Sequence, residues 1–163
     1  YELPIKPSPN LPNMSSVYLY PSLCLFEGTP ISVGRGTDKP FQVLGHPKID
    51  SEKYSFTPKS MEGAKKPKLE GQLCKGYNLS EYGNMCMRGL KRLNLFWLLD
   101  IYQNFPEKEG FFTNSFNLLA GTNQLQEQIK AGKTEKEIVA SWQDGLKQFK
   151  ITRKKYLLYG DFE

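Results

Sequence analysis

The stretch from residue 90 to residue 102, LKRLNLFWLLDIY, limits the fold more than any other part of this sequence. Leu93, Trp97 and Ile101 fall on one stripe of a helical wheel, and apolar side chains occupy most of the remaining circumference. A helix that is apolar on nearly every side must be covered on several sides. The sequence therefore predicts a buried helix near residues 89–104.

Two further helices are predicted from their terminal residues. The segment TNQLQEQIKAG has a start at Thr122 or Asn123 and a glycine stop at Gly132. Thr134 and Glu137 then have the spacing of a capping box, in which a hydroxyl caps the helix and a carboxylate three residues later bonds back.

A last helix is predicted to start at Asp144. Ile138, Trp142, Leu146 and Phe149 follow one another at spacings of four, four and three residues. This periodicity predicts that the last two helices bury a related face.

The first half of the chain has strand-like segments instead. A short helix from about Ser15, interrupted near Pro21, is followed by several runs of β-branched and aromatic residues. The predicted strands are ISV (31–33), FQVLG (41–45), KYSFTP (53–58) and QLCKGYNL (72–79), with YLLY (156–159) as a final strand. The polar, lysine-rich segment 59–70 is interpreted as an exposed loop. Strands early and helices late predict an α+β fold with a small, antiparallel sheet.

Length and composition indicate one globular domain. The chain has 163 residues, of which 39% are hydrophobic, and this excludes a disordered protein. Residues 1–13 contain four prolines and are interpreted as an extended linker from a preceding domain, so that the domain itself covers residues 14–163. No apolar run is long enough to span a membrane.

The charge and the metal-ligating residues exclude some classes of function. The net charge is +5, but zinc-finger, helix-turn-helix and ribonucleoprotein motifs are missing from the sequence, so nucleic acid is not the predicted partner. Cys24, Cys74 and Cys86 lack zinc-site spacing, and His46 is the one histidine. We predict no metal and no cofactor, and a structural or exposed His46. Three buried thiols are predicted, with one disulfide and one buried thiol as the alternative.

The run FEGTPISVGRGTDKPF, residues 26–41, is the candidate functional stretch. Gly34 and Gly36 flank Arg35, whose guanidinium suits a carboxylate or phosphate. Glu27 could accept bonds from a sugar or act as an acid, base or nucleophile. The alternative is a purely structural turn in which Arg35 pairs with Asp38 or Glu27. A nucleotide site is not favoured, because GRG departs from both the P-loop and the dinucleotide patterns.

The longer run YPSLCLFEGTPISVGRGTDKPFQVLGHP resembles a signature of the NamZ-type exo-β-N-acetylmuramidases. Further similar segments are FTP with EGQLCKGYNL, then GTNQLQEQIKAGKTEKEIVASWQDGLKQF and RKKYLLY. The resemblance covers the C-terminal region of that bacterial family.

The resemblance implies a glycoside hydrolase that releases N-acetylmuramic acid from the non-reducing ends of peptidoglycan fragments. In the family a Rossmann-like N-terminal domain forms the active-site cleft with this smaller domain, so this chain alone is expected to be inactive. The implied location is the bacterial cell envelope or the exterior, with the periplasm favoured. A non-catalytic carbohydrate-binding or scaffold module is the alternative.

The resemblance also implies roles for residues of the candidate run. Glu27 is the nominated catalytic carboxylate, and Arg35 would bind the lactyl carboxylate of the sugar. Phe41 or Tyr20 would stack on the sugar ring. The full set of nominated substrate-binding residues is Thr29, Ser32, Gly34, Arg35, Gly36, Thr37 and Phe41.

Overall fold

The computed structural model describes residues 4–90 and 92–160 of the chain. It combines a three-stranded antiparallel sheet with helices that lie before and after the sheet in sequence. The predicted α+β class is confirmed.

The sheet has the strand order β1-β3-β2, with β1 at Val43–His46, β2 at Ser55–Phe56 and β3 at Cys74–Asn78. Both pairings are antiparallel. Three of the predicted strands are therefore confirmed in shortened form. The segment ISV forms only an isolated bridge between Ser32 and Gly45, because its neighbours turn away into the glycine-rich loop.

Helix α1, Met14–Leu23, begins at a cap formed by Asn13, whose side chain accepts a hydrogen bond from the backbone N–H of Ser16 at 3.0 Å. Pro21 lies inside the last turn rather than ending the helix. A 3₁₀ helix, Cys24–Gly28, follows α1 directly.

An irregular helical segment follows the sheet. It consists of α2 (Ser80–Tyr82), a π-helical turn (Gly83–Met87) and α3 (Arg88–Leu90). Helix α4, Phe96–Asn104, comes next and buries Trp97.

The start of α4 corrects the prediction of a helix near residues 89–104. The backbone N–H of Asn94 donates to Ser22 Oγ at 2.9 Å, and that of Leu95 donates to Glu135 Oε1 at 3.0 Å. These groups are bonded to distant parts of the chain, so the regular helix begins only at Phe96. The apolar pattern identified the buried helix but not this tertiary boundary.

The C-terminal part is helical: α5 (Asn114–Ala120), α6 (Gln124–Lys130), α7 (Glu135–Ser141) and α8 (Gln143–Arg153). The predicted capping box is present, since Glu137 N–H donates to Thr134 Oγ1 at 3.3 Å and Thr134 N–H donates to Glu137 Oε2 at 2.8 Å. Helix α5 was not predicted.

Two predictions for the C-terminus are wrong. Ile138 is fully buried, but Leu146 and Phe149 are 44% and 60% exposed, so α7 and α8 do not bury a common face. The run YLLY forms no strand, because Lys154–Tyr156 is a 3₁₀ turn and Leu157 to Tyr159 are exposed without regular structure.

The main core lies between α1, the 3₁₀ helix, α4 and the helices that follow. Its fully buried members include Leu19, Leu23, Phe26, Ile31, Leu44, Leu95, Phe111, Phe116 and Ile138. A smaller cluster of Val43, Phe56 and Cys74 packs at the sheet. Within the described parts of the chain, no helix is both long enough and apolar enough to cross a bilayer.

Candidate functional site

Glu27 is held by the contact between the 3₁₀ helix and α5. The backbone N–H of Thr113 donates to the carbonyl of Gly28 at 2.9 Å. A Cβ atom at Gly28 would lie 2.5 Å from Cα of Phe116, so the two backbones approach as closely as only glycine permits. This contact gives Glu27 a rigid base on the core.

The loop after Glu27 is tight and depends on its glycines. Gly34 has φ 78° and Gly36 has φ 85°, a left-handed conformation that other residues adopt only with strain. A Cβ at Gly34 would lie 2.4 Å from Val43 Cγ2, and one at Gly36 would lie 2.7 Å from the carbonyl oxygen of Lys59. Both glycines therefore shape the loop, whatever the loop binds.

Arg35 pairs with Glu27 rather than with Asp38. Arg35 Nη1 donates to Glu27 Oε1 at 3.0 Å, and Arg35 Nη2 lies 3.4 Å from the carbonyl oxygen of Gly63. The side chains of Arg35 and Glu27 are 42% and 30% exposed. The ion pair is thus at the surface, where a ligand could reach both groups.

This ion pair lines a cavity of about 310 Å³, at the lower end of the roughly 300–1,000 Å³ typical of ligand pockets. One wall comes from the candidate run. The other comes from the lysine-rich segment 59–70, which was predicted to be an exposed loop. The lining residues are Glu27, Ile31, Ser32, Val33, Arg35, Gly63, Ala64, Lys65, Lys66, Pro67 and Lys68. Glu27 is the one carboxylate among them.

Lys68 joins the two walls of this cavity. Its ammonium lies 3.4 Å from the carbonyl oxygens of Phe26 and Glu27 and 3.3 Å from that of Ile31, and it also donates to the carbonyl of Thr29. Burial of the ammonium lowers the pKa of Lys68, and the nearby Glu27 carboxylate opposes that shift. The ammonium of Lys68 is therefore held against the backbone that carries Glu27.

The hydroxyl groups that were predicted to bind substrate form hydrogen bonds within the loop itself. Thr29 is 1% exposed, and its hydroxyl donates to the Phe26 carbonyl at 2.8 Å. The Thr37 hydroxyl donates to the Gly34 carbonyl at 2.7 Å. Ser32 lines the cavity, although it is 2% exposed and its Oγ accepts from Gly34 N–H at 3.2 Å. Of the three, Ser32 alone lies at the cavity.

The aromatic ring nominated for stacking is buried. Phe41 is 3% exposed and packs edge-on against Tyr20, with ring centroids 4.9 Å apart. A ring covered in this way does not present a face to a sugar. Tyr20 is 38% exposed and is the ring of the pair that reaches solvent. Burial raises the pKa of the Tyr20 hydroxyl, and the charges of Cys24 and Glu27 raise it further.

His46 has a structural place in β1, as the sequence predicted. Its Nδ1 accepts from the backbone N–H of Lys48 at 3.0 Å, and its ring packs edge-on against Phe105 at 5.0 Å. Burial lowers the pKa of His46, and Lys48 lowers it further. Cys24, Cys74 and Cys86 are free thiols, and Cys74 is buried. The prediction of three buried thiols is wrong for Cys24 and Cys86, which are only partly buried.

Other possible sites are less suited to sugar chemistry. Over the described residues no group of three or more metal-ligating side chains is present. A larger cavity of about 680 Å³ lies between residues 4–18 and 84–88, but its lining carries Lys6 and Arg88 and no carboxylate. Two further cavities, of about 450 Å³ and about 270 Å³, also carry both charges. The Glu27–Arg35 cavity is the better candidate because the candidate run 26–41 forms one of its walls.

Sequence reasoning missed Lys68 and the lysine-rich wall. The five lysines of residues 59–75 were visible as a basic cluster, but nothing local indicates that this segment folds onto residues 26–31. The contact joins residues about 40 positions apart, and only the fold brings them together.

Comparison with known proteins identifies the family. The model of the family described as exo-beta-N-acetylmuramidase NamZ, C-terminal, matches residues 18–159. The chain is 36% identical over 167 aligned residues to the peptidoglycan beta-N-acetylmuramidase NamZ of Bacillus subtilis strain 168, covering 95% of this chain and 40% of that protein.

A solved structure has the same fold. The crystal structure of a DUF1343 family protein from Bacteroides fragilis NCTC 9343 matches with a TM-score of 0.93 and 51% identity, over 99% of this chain and 45% of that chain. This chain thus spans less than half the length of both relatives. It belongs to the family of the C-terminal domain of NamZ-type exo-β-N-acetylmuramidases.

Proposed function

We propose that this chain is the C-terminal part of a peptidoglycan-active glycoside hydrolase, and that the full-length protein releases N-acetylmuramic acid from non-reducing ends. In this proposal the Glu27–Arg35 cavity forms one wall of an active-site cleft against a Rossmann-like N-terminal domain. The observation that carries the proposal is the half-buried ion pair of Glu27 and Arg35 at a cavity, in a chain of this family.

Glu27 supplies the chemistry that this domain can offer. Glycoside hydrolysis requires a carboxyl group that moves a proton or attacks the anomeric carbon. The 3₁₀ helix fixes the backbone of Glu27, while Arg35 and Lys68 hold its side chain and its carbonyl. A carboxylate held in this way is oriented before substrate arrives, which reduces the cost of forming the reactive geometry.

Arg35 supplies selectivity for N-acetylmuramic acid. This sugar differs from N-acetylglucosamine by a lactyl group with a carboxylate, for which a guanidinium is a matched partner. A guanidinium has five N–H donors, and in the structure Nη1 bonds to Glu27 and Nη2 lies near Gly63. Its other donors can bond the lactyl carboxylate while the pair with Glu27 persists.

The second wall of the cleft has to supply what this chain lacks. Most glycosidases use two carboxyl groups about 5–10 Å apart, and Glu27 is the one carboxylate that lines the cavity. The proposal therefore assigns the second carboxyl group to the N-terminal domain. For that reason the isolated chain is expected to have no turnover.

A peptidoglycan substrate also sets the location. The full-length protein is proposed to work in the bacterial cell envelope or outside the cell, with the periplasm as the favoured compartment. The name of the Bacillus subtilis relative, a peptidoglycan beta-N-acetylmuramidase, supports this location.

A non-catalytic sugar-binding or scaffold role is the second candidate. The observations that favour it are the loop hydroxyls, which bond within the loop, and the pairing of Arg35 with Glu27 itself. In this alternative both essential carboxyl groups lie in the preceding domain, and Glu27 only holds Arg35 in place.

The selectivity of Arg35 can be tested in the full-length protein with Arg35→Ala. We expect its affinity for N-acetylmuramic acid to fall roughly tenfold to a hundredfold, the loss that one or two charge-assisted hydrogen bonds produce. Affinity for N-acetylglucosamine should change much less. Isothermal titration calorimetry with each sugar measures both values.

Arg35→Lys is the matched control for charge. It keeps a cation but loses the planar fork, so we expect an intermediate loss for N-acetylmuramic acid. Equal losses on the two sugars in Arg35→Ala would show that Arg35 only shapes the loop, and would contradict its role in substrate selection.

A further inference from the structure

Helix α8 has an apolar stripe that the described part of the chain leaves uncovered. Trp142, Leu146 and Phe149 lie on one face of the helical segment, and none of the eleven residues of α8, all of them described, is buried. Leu146 is 44% exposed and Phe149 is 60% exposed. Exposed apolar side chains that form a stripe indicate a binding surface, whereas single ones do not.

The stripe continues into an apolar groove. Trp142 lines this groove, which has a volume of about 360 Å³. Its other walls are Pro21, Cys24, Leu25, Leu93, Leu119, Ala120, Thr122 and Leu125. Stripe and groove therefore form one surface, which we call the α8 surface.

The α8 surface reaches the neighbourhood of the Glu27 cavity. Cys24, which also lines the groove, lies in the same 3₁₀ helix as Glu27. Burial raises the pKa of the Cys24 thiol, and the charge of Glu27 raises it further, as expected of groups that lie near one another. A partner bound to the α8 surface would lie beside the Glu27 cavity.

The segment that carries the stripe is basic. Residues 143–155 contain five lysine or arginine residues and one acidic residue, Asp144. A complementary partner thus has an apolar centre with acidic residues around it.

The relatives indicate which partner fits this description. The matching family model is for a C-terminal part and runs to residue 159, so it includes all of α8. Both relatives are more than twice as long as the part that this chain matches. In each, more than half of the protein lies outside the matched part and is available to cover this face.

We propose that the α8 surface is the docking site for the N-terminal domain of the full-length protein. The stripe of Leu146 and Phe149 would enter an apolar patch on that domain, and acidic residues around the patch would face the lysines of α8. This inference rests on the part of the proposed function that puts a second domain beside this one, and not on any chemistry at Glu27.

Hydroxyl-radical footprinting of the full-length protein tests the docking site without substrate or turnover. Leu118 is 83% exposed on α5 and serves as an internal reference for a freely accessible side chain. After normalisation for intrinsic reactivity, we expect modification of Leu146 and Phe149 to be slower than that of Leu118 by on the order of tenfold, as in the centre of an interface. This protection should be independent of protein concentration.

A pair of variants makes the test specific. Phe149→Asp in the full-length protein should release Leu146, so that its modification approaches the rate of Leu118 in the wild type. Leu118→Asp, an equivalent change away from the groove lining, should leave Leu146 protected. Circular dichroism checks that both variants fold.

Two results would overturn the proposal. Leu146 and Phe149 could be modified as fast as Leu118 in the wild-type protein, which would mean that nothing covers the stripe. Alternatively, protection could disappear on dilution together with a dimer, which would assign the surface to a second copy of the chain.

Discussion

At the candidate site two cationic side chains hold Glu27 in different ways. Arg35 bonds the side chain of Glu27 at 3.0 Å, while the ammonium of Lys68 lies against the carbonyl oxygens of residues 26–31. The first contact orients the carboxylate of Glu27, and the second holds the backbone that carries it. Removal of Arg35 and removal of Lys68 should therefore have different consequences.

Lys68→Met tests the second contact, because methionine keeps the length of the side chain and removes the ammonium. The carbonyl oxygens that Lys68 bonds would then lose their donor, so we expect the free energy of unfolding to fall by about 1–2 kcal/mol. Urea denaturation of this chain measures the change.

Lys66→Met is the control for Lys68→Met, since both are exposed residues of the same loop, whereas the carbonyl contacts within residues 26–31 are made by Lys68. An exposed substitution of this kind is expected to change stability by less than about 0.5 kcal/mol. If the two variants are equally stable, the bonds of Lys68 to the loop contribute nothing measurable and Lys68 does not fix the loop.

At the scale of elements, local patterns were enough where the determining contacts are local. The capping box of Thr134 and Glu137 and the glycine at Gly132 are read from neighbouring residues, and they are confirmed. The predicted start of α4 was wrong because the backbone N–H of Leu95 donates to Glu135, about 40 residues away. The Arg35–Glu27 pair was foreseen as an alternative, since it spans only eight residues.

Strand β1 contains a pH-sensitive element. His46 is 8% exposed, and burial lowers the pKa of His46 below its ordinary value near 6.5. As pH falls through about 6.5 the unfolded chain takes up a proton that the folded chain resists, so stability is lost below that pH. We expect His46 to contribute a loss of up to ~1.4 kcal/mol per pH unit in this range.

The contribution of His46 is isolated by comparison with His46→Asn. Asparagine can accept the bond from Lys48 N–H that Nδ1 accepts in the wild type, but it does not titrate. Urea denaturation from about pH 7.5 to pH 5 should show the wild type losing more stability than the variant. Parallel pH profiles for the two proteins would contradict this account of His46.

At the scale of the whole molecule, the described chain has a buried core of its own, and we propose that its site is completed by a second domain. Ile138 is fully buried, while Leu146 and Phe149 of the same periodic pattern are exposed. The pattern predicted that these residues would be buried, but a sequence pattern does not say which surface covers them. In our account the N-terminal domain covers them and brings the second carboxyl group to the cavity of Glu27.

We propose that Glu27 takes part in glycoside hydrolysis and that this chain needs the rest of the protein to do so. Turnover of a chromogenic β-N-acetylmuramide tests it most directly, measured for the full-length protein, for full-length Glu27→Gln and for this chain alone. Glu62→Gln is the control, since Glu62 is an exposed carboxylate of the loop opposite Glu27. We predict that the wild type and Glu62→Gln hydrolyse the substrate, that Glu27→Gln loses on the order of a hundredfold or more, and that this chain alone shows no turnover. Near-wild-type turnover by Glu27→Gln, or hydrolysis by the chain alone, would contradict the account.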